Sequence, residues 1–336
     1  MYGTLLPMER QGRACVIGAR GALGGAVVAA LRAGGWTVHP TGRRAGGSDG
    51  FRHLDLARPD GLGRALGDVD LAVSAVADPN LVAERWVLEH GGVLVNCSHA
   101  SGAAAAALTT EIGARRRGTV LLNAGLVPGL ANLAAAELLD EHPDADALEV
   151  AFTVLGDATA GRGGGEFIHA GLASRSRHRV VRLPFPEPFG ELSCIEVHEG
   201  EDCGFAGVAG GRRVENYVGF ADPWAGRGLR LANSLGLMRL LPRAPFVAGG
   251  ERGEVSREPT VVWLGARRGE RRLGAALVRC DGDYRTTAEA ARAFGEALVA
   301  ESRPGCFNPE DLFRPGDLAT RLRGVGWSRG GGAAEG

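Results

Sequence analysis

Short apolar runs alternate with longer helix-like stretches through the first 135 residues of the chain. The first apolar run covers residues 14–17 and ends at Gly18, and an Ala-rich stretch, 22–33, follows and is closed by Gly34 and Gly35. Apolar runs of this length bounded by glycine indicate buried strands, whereas the longer stretches have the length and composition of helices. The pattern predicts a strand, a glycine turn and a helix.

The alternation continues beyond this first unit. Strands are predicted over 36–39, 71–76, 93–97 and from residue 120, with a short extended piece near residue 55, and helices over 59–66 and 81–89. Alternating strands and helices imply right-handed crossovers and a parallel sheet, whose strand carboxyl ends form the ligand site. We therefore predict an α/β protein whose N-terminal part, residues 1–135, is a Rossmann doubly wound parallel sheet.

The second half of the chain has a different pattern. Longer alternating segments, such as LEVAFTVLG, HRVVRLPF, RRVENYVGF and PTVVWLGARRG, are separated by glycine and proline clusters, which is typical of strands with one buried face. We predict an α+β substrate and dimerisation domain with a mixed or antiparallel sheet over residues 136–285.

The end of the chain is expected to return to the first domain. A helix is predicted over 286–300, with Thr286 or Thr287 as its N-cap, and we expect residues 286–327 to pack back on the Rossmann domain. Residues 328–336 contain little apolar surface and are predicted to form a flexible tail.

The composition fits a soluble protein of two domains. The 336 residues exceed the size at which one core usually keeps growing. Net charge is −1, and no block of like charge or long apolar run is present, so we expect no nucleic-acid partner, no membrane partner and no signal peptide. We expect a cytoplasmic homodimer, with the second sheet as its contact surface, that acts on a small-molecule substrate.

The cysteines indicate neither a disulfide framework nor a metal site. All six lie singly, without a Cys-x-x-Cys pair or a histidine at metal-ligand spacing. We expect structural thiols in a reducing compartment and no bound metal.

The first strand-to-helix turn carries the candidate cofactor loop. In CVIGARGALGG, Gly18 would permit the tight turn, Gly21 the approach of a pyrophosphate, and Gly24 close packing of the helix. The N–H groups of Ala22 and Leu23 would face the phosphates. Because the chain has 54 glycines, the surrounding strands and helix, rather than the glycines alone, support a dinucleotide site.

The residues after the second predicted strand favour NADP(H). An NAD site usually has an acid here for the ribose hydroxyls, whereas this chain has Thr41, Gly42, Arg43 and Arg44, with Arg20 inside the glycine loop. Guanidinium groups bind a phosphate in a planar fork. The alternative is that these arginines are solvated surface charges in an arginine-rich protein.

Other cofactor contacts are expected where strands end at the carboxyl edge of the sheet. These positions are Asp55, Leu56, Ser74, Ala75, Val76 and Ser98.

Four segments of the chain together resemble one known family. They are GARGALGG, the TGRR after the second strand, NAGLVPGLANLAAAELL, and the closing DGDYRTTAEAARAFGEALVAESRPGCFNPEDLF. In these segments the chain is similar to the saccharopine dehydrogenase-like family of NAD(P)-dependent oxidoreductases. The resemblance implies a Rossmann domain, an inserted substrate domain with a mixed sheet, and hydride transfer at carbon–nitrogen or carbon–carbon double bonds.

The resemblance also bears on individual residues. The run from Gly125 to Asn132 is similar to the family's crossing into its second domain, so Pro128, Gly129 and Asn132 are expected to border the nicotinamide end of the cleft and contact the substrate. The next helix should begin only after Pro128 and Gly129, and Asn132 would either face the ligand or cap that helix. The sequence departs from the family after the fifth strand, where the family often has an acid and this chain has NCSH, ending in His99.

His99 is the candidate proton donor. It follows a predicted buried strand, and a histidine can give the proton that accompanies hydride delivery to an imine or polarised alkene. A helix-cap or surface role for His99 remains the alternative. In the second domain, Glu166 and His169 would share one helix face and are further candidate catalytic residues, while Arg175 and Arg177 would suit a substrate carboxylate or form a solvated face.

These residues predict an NADPH-dependent reductase or dehydrogenase acting on a small imine, enamine or activated alkene. A carbonyl reductase of the short-chain type would need a Tyr-x-x-x-Lys pair, and the sequence contains no lysine, so only a carbonyl reductase without that pair remains open. A regulatory protein that binds the cofactor without turnover is the non-enzymatic alternative.

Overall fold

The structure is a computed structural model that describes residues 12–44, 50–154, 162–197, 203–247, 258–322 and 324–330. Residues 331–336 of the predicted tail lie outside the described residues. Two seven-stranded sheets organise the described part of the chain.

The first sheet is parallel throughout and follows the Rossmann strand order. Its strands are β1 (Arg13–Ile17), β2 (Thr37–Gly42), β3 (Arg52–His53), β4 (Leu71–Ser74), β5 (Val93–Asn96), β6 (Thr119–Leu121) and β13 (Gly305–Phe307). They lie in the order β3-β2-β1-β4-β5-β6-β13, which is the doubly wound 3-2-1-4-5-6 arrangement with one strand from the end of the chain added.

Helices cover both faces of this sheet. Alternate residues of each strand point to opposite faces, and the apolar residues of β1, β4 and β5 contribute to a core on each side. The helices of the first part are α1 (Ala22–Ala33), α2 (Leu62–Leu66), α3 (Val82–His90), α4 (Gly102–Ile112) and α5 (Leu130–Glu141), with 3-10 turns at Pro59–Gly61 and Gly113–Arg115. One core contains α1 and residues of α10 (Asp283–Ala300), and the core on the other face contains residues of α2, α3 and α4.

The second sheet is mixed. Its strands are β7 (Ala147–Val154), β8 (Val180–Pro184), β9 (Glu191–Val197), β10 (Arg213–Phe220), β11 (Pro259–Arg268), β12 (Arg271–Asp281) and β14 (Val325–Gly330), in the order β14-β12-β11-β7-β10-β9-β8. Within the described part of this second sheet, β7 and β10 pair in parallel and the other neighbouring strands pair antiparallel. The remaining helices are α6 (Arg162–Ala173), α7 (Ala206–Ala209), α8 (Pro223–Ser234), α9 (Ala244–Val247), α11 (Pro309–Leu312) and α12 (Pro315–Leu318), with a 3-10 turn at Met238–Leu240.

The predicted fold class is confirmed: a parallel Rossmann sheet is joined to an α+β part with a mixed sheet. Helix α10 connects the two. Its Thr287 lies beside Gly125 near the carboxyl edge of the first sheet, and its Gly295 packs on Leu71 at the amino end of β4. The helix therefore crosses the whole sheet, with its N-terminus at the carboxyl edge.

Details at the end of the chain differ from the sequence-based expectations. Helix α10 begins at Asp283 after Gly282, whose φ of +82° suits glycine, so neither Thr286 nor Thr287 is the N-cap. Residues 328–330, the start of the expected tail, belong to β14 and pair with β12. Backbone hydrogen bonds to β12 order this polar segment. The segment has too little apolar surface to be ordered by burial alone. The expected boundary between residues 135 and 136 falls inside α5.

Candidate cofactor and active site

The glycine loop joins β1 to α1 at the carboxyl edge of the first sheet. Gly18 has φ of +81°, and a Cβ built there would lie 2.2 Å from Cγ1 of Val76. A Cβ on Gly24 would lie 2.1 Å from the carbonyl oxygen of Gly18. Two of the three motif glycines are therefore demanded by the fold itself, because each position has a close neighbour where a side chain would be.

Gly21 is different, because the fold leaves room for a side chain there. Its φ is −76°, it is exposed, and a Cβ would meet only the oxygen of Gly18, at an ordinary 3.5 Å. The residue stands at the N-cap of α1, where the first helical N–H groups, those of Ala22 and Leu23, have no acceptor within the helix by geometry. A glycine that the fold does not require, at an exposed helix N-terminus, fits the close approach of a pyrophosphate.

The end of β2 presents two arginines but not the threonine hydroxyl. Thr41 is fully buried, and its hydroxyl donates to the carbonyl oxygen of Val16 at 3.1 Å. The expected cofactor contact from Thr41 is therefore corrected: the hydroxyl ties β2 to β1. Arg43 and Arg44 are exposed beyond Gly42, as a contact with a phosphate on the ribose requires.

A pocket of about 290 Å³ opens between the glycine loop, α1 and β2. The Arg20 guanidinium stacks on the ring of Phe51, 4.8 Å from the ring centroid, and Arg32 supplies a second positive charge to the lining. The lining residues are Ala19, Arg20, Gly25, Val28, Arg32, Pro40 and Phe51. Arg32 and Phe51 were not predicted. Arg32 lies in α1 and Phe51 lies in a loop, and neither position belongs to a recognisable sequence motif.

Asp55 and Leu56 have contacts within the protein. The Asp55 carboxylate accepts hydrogen bonds from the Ala57 N–H at 3.2 Å and from Arg58 Nε at 3.3 Å, which closes its own turn. Leu56 packs against the apolar core below the sheet. The expected cofactor contacts of these two residues stay predictions.

The segment after β4 forms the floor of the loop. Ser74 is buried at the end of the strand, the Ala75 N–H donates to the Ile17 carbonyl oxygen at 3.0 Å, and Val76 packs on Gly18. Ala75 and Val76 are half-buried. Residues 74–76 are therefore placed directly beside the glycine turn.

A buried polar chain supports the end of β5. Asn96 donates from Nδ2 to Oε1 of Glu84 at 2.6 Å, and its Oδ1 accepts from both the N–H and the hydroxyl of Ser98, each at 2.7 Å. Glu84, on α3, is almost completely buried, and burial raises the pKa of its carboxyl to about 7. These hydrogen bonds fix the Ser98 side chain with its hydroxyl hydrogen directed at Asn96. The lone pairs of the Ser98 oxygen are therefore available to a hydrogen-bond donor.

Glu84 predicts a measurable pH dependence of stability. Its folded-state pKa of about 7 lies above the ordinary 4.5, so the native state holds the proton more tightly than the unfolded chain. Stability from this group is fully present below pH 4.5 and is lost as pH rises through about 7. Glu84→Gln imitates the protonated form, and we expect it to gain about 3 kcal/mol over wild type across that window, by denaturant unfolding.

The control for this experiment is Glu89→Gln on the same helix. Glu89 lies at the half-buried end of α3, and its variant should keep the pH dependence of wild type. Parallel pH curves for wild type and Glu84→Gln would contradict the assignment.

His99 lies where the two domains face each other. It is exposed just beyond β5, and its ring centroid is 6.5 Å from that of Phe167 on α6. The expected position at the carboxyl edge of the first sheet therefore opens onto a helix of the second domain. Phe167 was not predicted from the sequence, although it stands between the two candidates that were named on that helix.

Glu166 and His169 are engaged elsewhere. His169 Nε2 is 3.0 Å from the Leu241 carbonyl oxygen, and its ring packs on Phe246 at 5.4 Å between centroids. Arg243 donates to the Glu166 carboxylate. These contacts pack α6 against the segment around α9, and the catalytic roles expected of Glu166 and His169 stay predictions. Both side chains contact the same neighbouring segment, residues 241–246, which fits the expectation that they share one face of the helix.

The segment from Gly125 to Asn132 is a buried junction. Pro128, Gly129 and Asn132 are buried. Asn132 accepts from the Gly129 N–H at 2.9 Å and donates to the Gly204 carbonyl oxygen at 2.9 Å and to Glu310 at 3.3 Å. Of the two roles expected of Asn132, the structure shows the capping one: α5 begins at Leu130, after Pro128 and Gly129, and Asn132 Oδ1 accepts from the N-cap N–H, while its Nδ2 ties α5 to the α7 region and the C-terminal segment.

The same junction reaches the cleft only through its backbone. The Leu126 N–H donates to the Thr287 hydroxyl at 3.1 Å, and Gly125 lies close to the Cys97 carbonyl oxygen, next to Ser98. Pro128 and Gly129 are buried, and Pro128 packs against Gly204; their expected contact with the substrate stays a prediction.

In the ranges that the structure describes, no helix combines the length and apolarity needed to span a membrane. Across the same residues, no group of three or more His, Cys, Asp or Glu side chains is arranged to hold a metal ion.

Comparison with solved structures supports the fold. Saccharopine dehydrogenase (L-Glu forming) from Saccharomyces cerevisiae matches with a TM-score of 0.62 and 12% identity, over 95% of this chain and 100% of that chain. The expected resemblance is confirmed for the fold.

Other matches are weaker. Aspartate semialdehyde dehydrogenase II from Vibrio cholerae matches at a TM-score of 0.45 and 11% identity, over 88% of this chain and 100% of that one. A probable aspartate-semialdehyde dehydrogenase from Pseudomonas aeruginosa matches at 0.43 and 14%, over 87% and 99%. No protein-family model and no curated protein matches the sequence.

Proposed function

We propose that this protein is an NAD(P)-dependent oxidoreductase. The observation that carries the proposal is the glycine loop on a 3-2-1-4-5-6 sheet, with Gly21 exposed at the N-terminus of α1 although the fold does not require glycine there. The similarity of the whole chain to a dehydrogenase fold is consistent with it. The site fits a pyrophosphate because helix N–H groups and a glycine backbone meet at an exposed edge.

We further propose that the preferred cofactor is NADP(H). Arg43 and Arg44 are exposed directly after β2, where an NAD site would carry an acid, and Arg20 and Arg32 line the adjoining pocket. Planar guanidinium groups suit a 2′-phosphate. The ribose of NAD(H) would offer these arginines two neutral hydroxyls and no phosphate.

Arg43→Ala tests the cofactor preference. We expect NADPH affinity to fall by 1 to 3 kcal/mol, roughly 5- to 150-fold, because a charge-assisted hydrogen bond to phosphate is lost, while NADH affinity stays nearly unchanged. Calorimetric titration with each cofactor measures both. Arg58→Ala, which removes an arginine whose side chain is 82% exposed beyond the Asp55 turn, is the matched control. Equal losses for NADPH and NADH would refute the preference.

The proposed reaction is reduction of a small imine, enamine or activated alkene. A bound cofactor would supply hydride at the carboxyl edge of the sheet. His99 would give the accompanying proton from the mouth of the cleft, and Ser98, with its hydroxyl hydrogen held by Asn96, would accept a hydrogen bond from an N–H group of the substrate or of the carboxamide. Phe167 would close the opposite wall and limit the access of water.

Substrate screening separates this proposal from a cofactor-binding protein without turnover. In saturating NADPH, a thermal-shift screen of imines, amino acids and unsaturated acids should find compounds that raise the melting temperature only when the cofactor is present. Each such compound should then oxidise NADPH. Cofactor binding without turnover of any stabilising compound would instead support a regulatory role.

A further inference from the structure

The solvent-facing stripe of α8 is apolar. Trp224, Leu231 and Leu235, at the end of the helix, are 76%, 61% and 59% exposed. They lie seven and then four residues apart, so they share one face. On the other side of the helix, Gly226 and Asn233 are buried, and Leu229 and Ala232 pack against the apolar core beneath it. Helix α8 therefore has apolar side chains towards solvent as well as towards the core, whereas an ordinary surface helix turns its apolar stripe to the core alone.

The apolar surface continues past the end of the helix. Leu237 is exposed, and Leu240, in the 3-10 turn that packs beside α8, is 76% exposed. The α8 patch is defined as Trp224, Leu231, Leu235, Leu237 and Leu240. Within the described ranges, these five are the majority of the large apolar side chains that are exposed. Such concentration of protruding apolar groups marks an interaction surface rather than scattered exposure.

The charged residues within the α8 segment, residues 223–247, have one sign. Residues 223–247 contain four arginines, Arg227, Arg230, Arg239 and Arg243, and no aspartate or glutamate. The Arg227 guanidinium stacks on the Trp224 ring at 5.2 Å. Two acids in the described residues lie beside this segment: Asp222 accepts from the N–H of Trp224 as the N-cap of α8, and Glu166 pairs with Arg243, which leaves Arg227, Arg230 and Arg239 as the positive charges of the segment. The patch therefore combines apolar groups with positive charge.

We propose that the α8 patch binds the surface of a membrane that contains anionic lipids. Trp and Leu on one exposed face, with arginines at its margin, are the features of helices that lie in the interface of a bilayer. The side chains protrude separately from a convex helix, which suits insertion into a deformable layer. A second copy of this chain is disfavoured, because a twofold contact would place the arginines of each patch against those of the other.

This proposal is independent of the proposed reaction. It also revises the expectation, based on a net charge of −1 for the whole chain, that no membrane takes part. The relevant charge is local, because an attraction to anionic headgroups falls off within about a Debye length, roughly 8 to 10 Å.

Vesicle sedimentation with the full chain tests the proposal. We expect the protein to bind vesicles of phosphatidylcholine and phosphatidylglycerol at least roughly tenfold more tightly than pure phosphatidylcholine vesicles, with binding weakened by salt. Trp224→Ser combined with Leu231→Ser should lower the affinity roughly tenfold or more, because the inserted apolar area is lost. Arg227→Glu combined with Arg239→Glu should remove the preference for anionic vesicles. The replaced side chains are exposed, so folding should be retained, as checked by thermal unfolding.

Val180→Ser is the matched control, since Val180 is an exposed apolar residue on β8, at 39%, and should leave binding unchanged. Absence of vesicle binding would overturn the proposal, and so would equal binding by wild type and the Trp224/Leu231 variant. A dimer in light scattering that the same variant dissociates would identify a second copy as the occupant. Binding to polyglutamate but not to anionic vesicles would identify an acidic protein instead.

Discussion

Turnover of the His99→Ala variant is expected to be roughly 10² to 10⁴-fold lower than that of wild type, with NADPH affinity nearly unchanged. His99 is exposed beyond β5 and faces Phe167 across the interdomain space, whereas the glycine loop and Arg43 hold the other end of the proposed cofactor. Removing the imidazole therefore removes a proton donor without removing a phosphate contact. Single-turnover oxidation of NADPH with a compound from the thermal-shift screen measures the chemical step.

The control is His90→Ala on α3. His90 stacks on Trp86 at 4.5 Å between centroids and bonds to the Trp86 carbonyl oxygen, so its loss leaves the cleft untouched and turnover should stay at the wild-type level. His99→Asn should be as slow as His99→Ala, because an amide is not an acid in the accessible pH range. Wild-type turnover in both His99 variants would assign the residue a structural role, and the proton would come from water.

The Rossmann half could be predicted because its pattern is local. Each buried strand is a short apolar run, Gly18 has a positive φ that suits glycine, and the close neighbours of Gly24 are Gly18 and Ala19 of the same strand–turn–helix unit. The added strand β13 pairs with β6 across almost two hundred residues of chain, for example Gly305 with Thr119. Its three residues carry no pattern that distinguishes them from a loop, so the sequence did not indicate this strand.

The site was predicted less well than the fold, because polar residues near a cleft have two possible uses. Thr41, Asp55 and Asn132 stand near the positions that a ligand site requires, yet their side chains satisfy backbone or side-chain groups of the protein itself. Buried polar groups must find partners, and a sequence does not show which partner is taken. Glu84 was detectable: it shares the inward face of α3 with Val87 and Leu88, and an acid on an apolar face signals a buried carboxyl.

Gly21→Ala and Gly24→Ala are expected to separate the ligand-binding glycine from the structural one. At Gly21 the new Cβ meets only the Gly18 oxygen, at 3.5 Å, so thermal stability should stay near that of wild type. The methyl group would occupy the space in which a pyrophosphate contacts the helix N–H groups, and we expect NADPH and NADH affinities both to fall on the order of 10²-fold, because charge-assisted hydrogen bonds are lost. Thermal unfolding and calorimetric titration are measured on the same preparations.

Gly24→Ala is the structural counterpart, because its Cβ would lie 2.1 Å from the Gly18 oxygen and 2.8 Å from Cα of Ala19. Both neighbours are backbone, so α1 must move away from the loop, and we expect about 1 to 3 kcal/mol of lost stability in addition to weak cofactor binding. Gly25→Ala is the control, since a Cβ there would have only ordinary contact, at 3.9 Å, and should be tolerated without loss of folding. Undiminished cofactor affinity in a folded Gly21→Ala variant would show that no dinucleotide approaches this turn, and the proposed oxidoreductase function would fall with it.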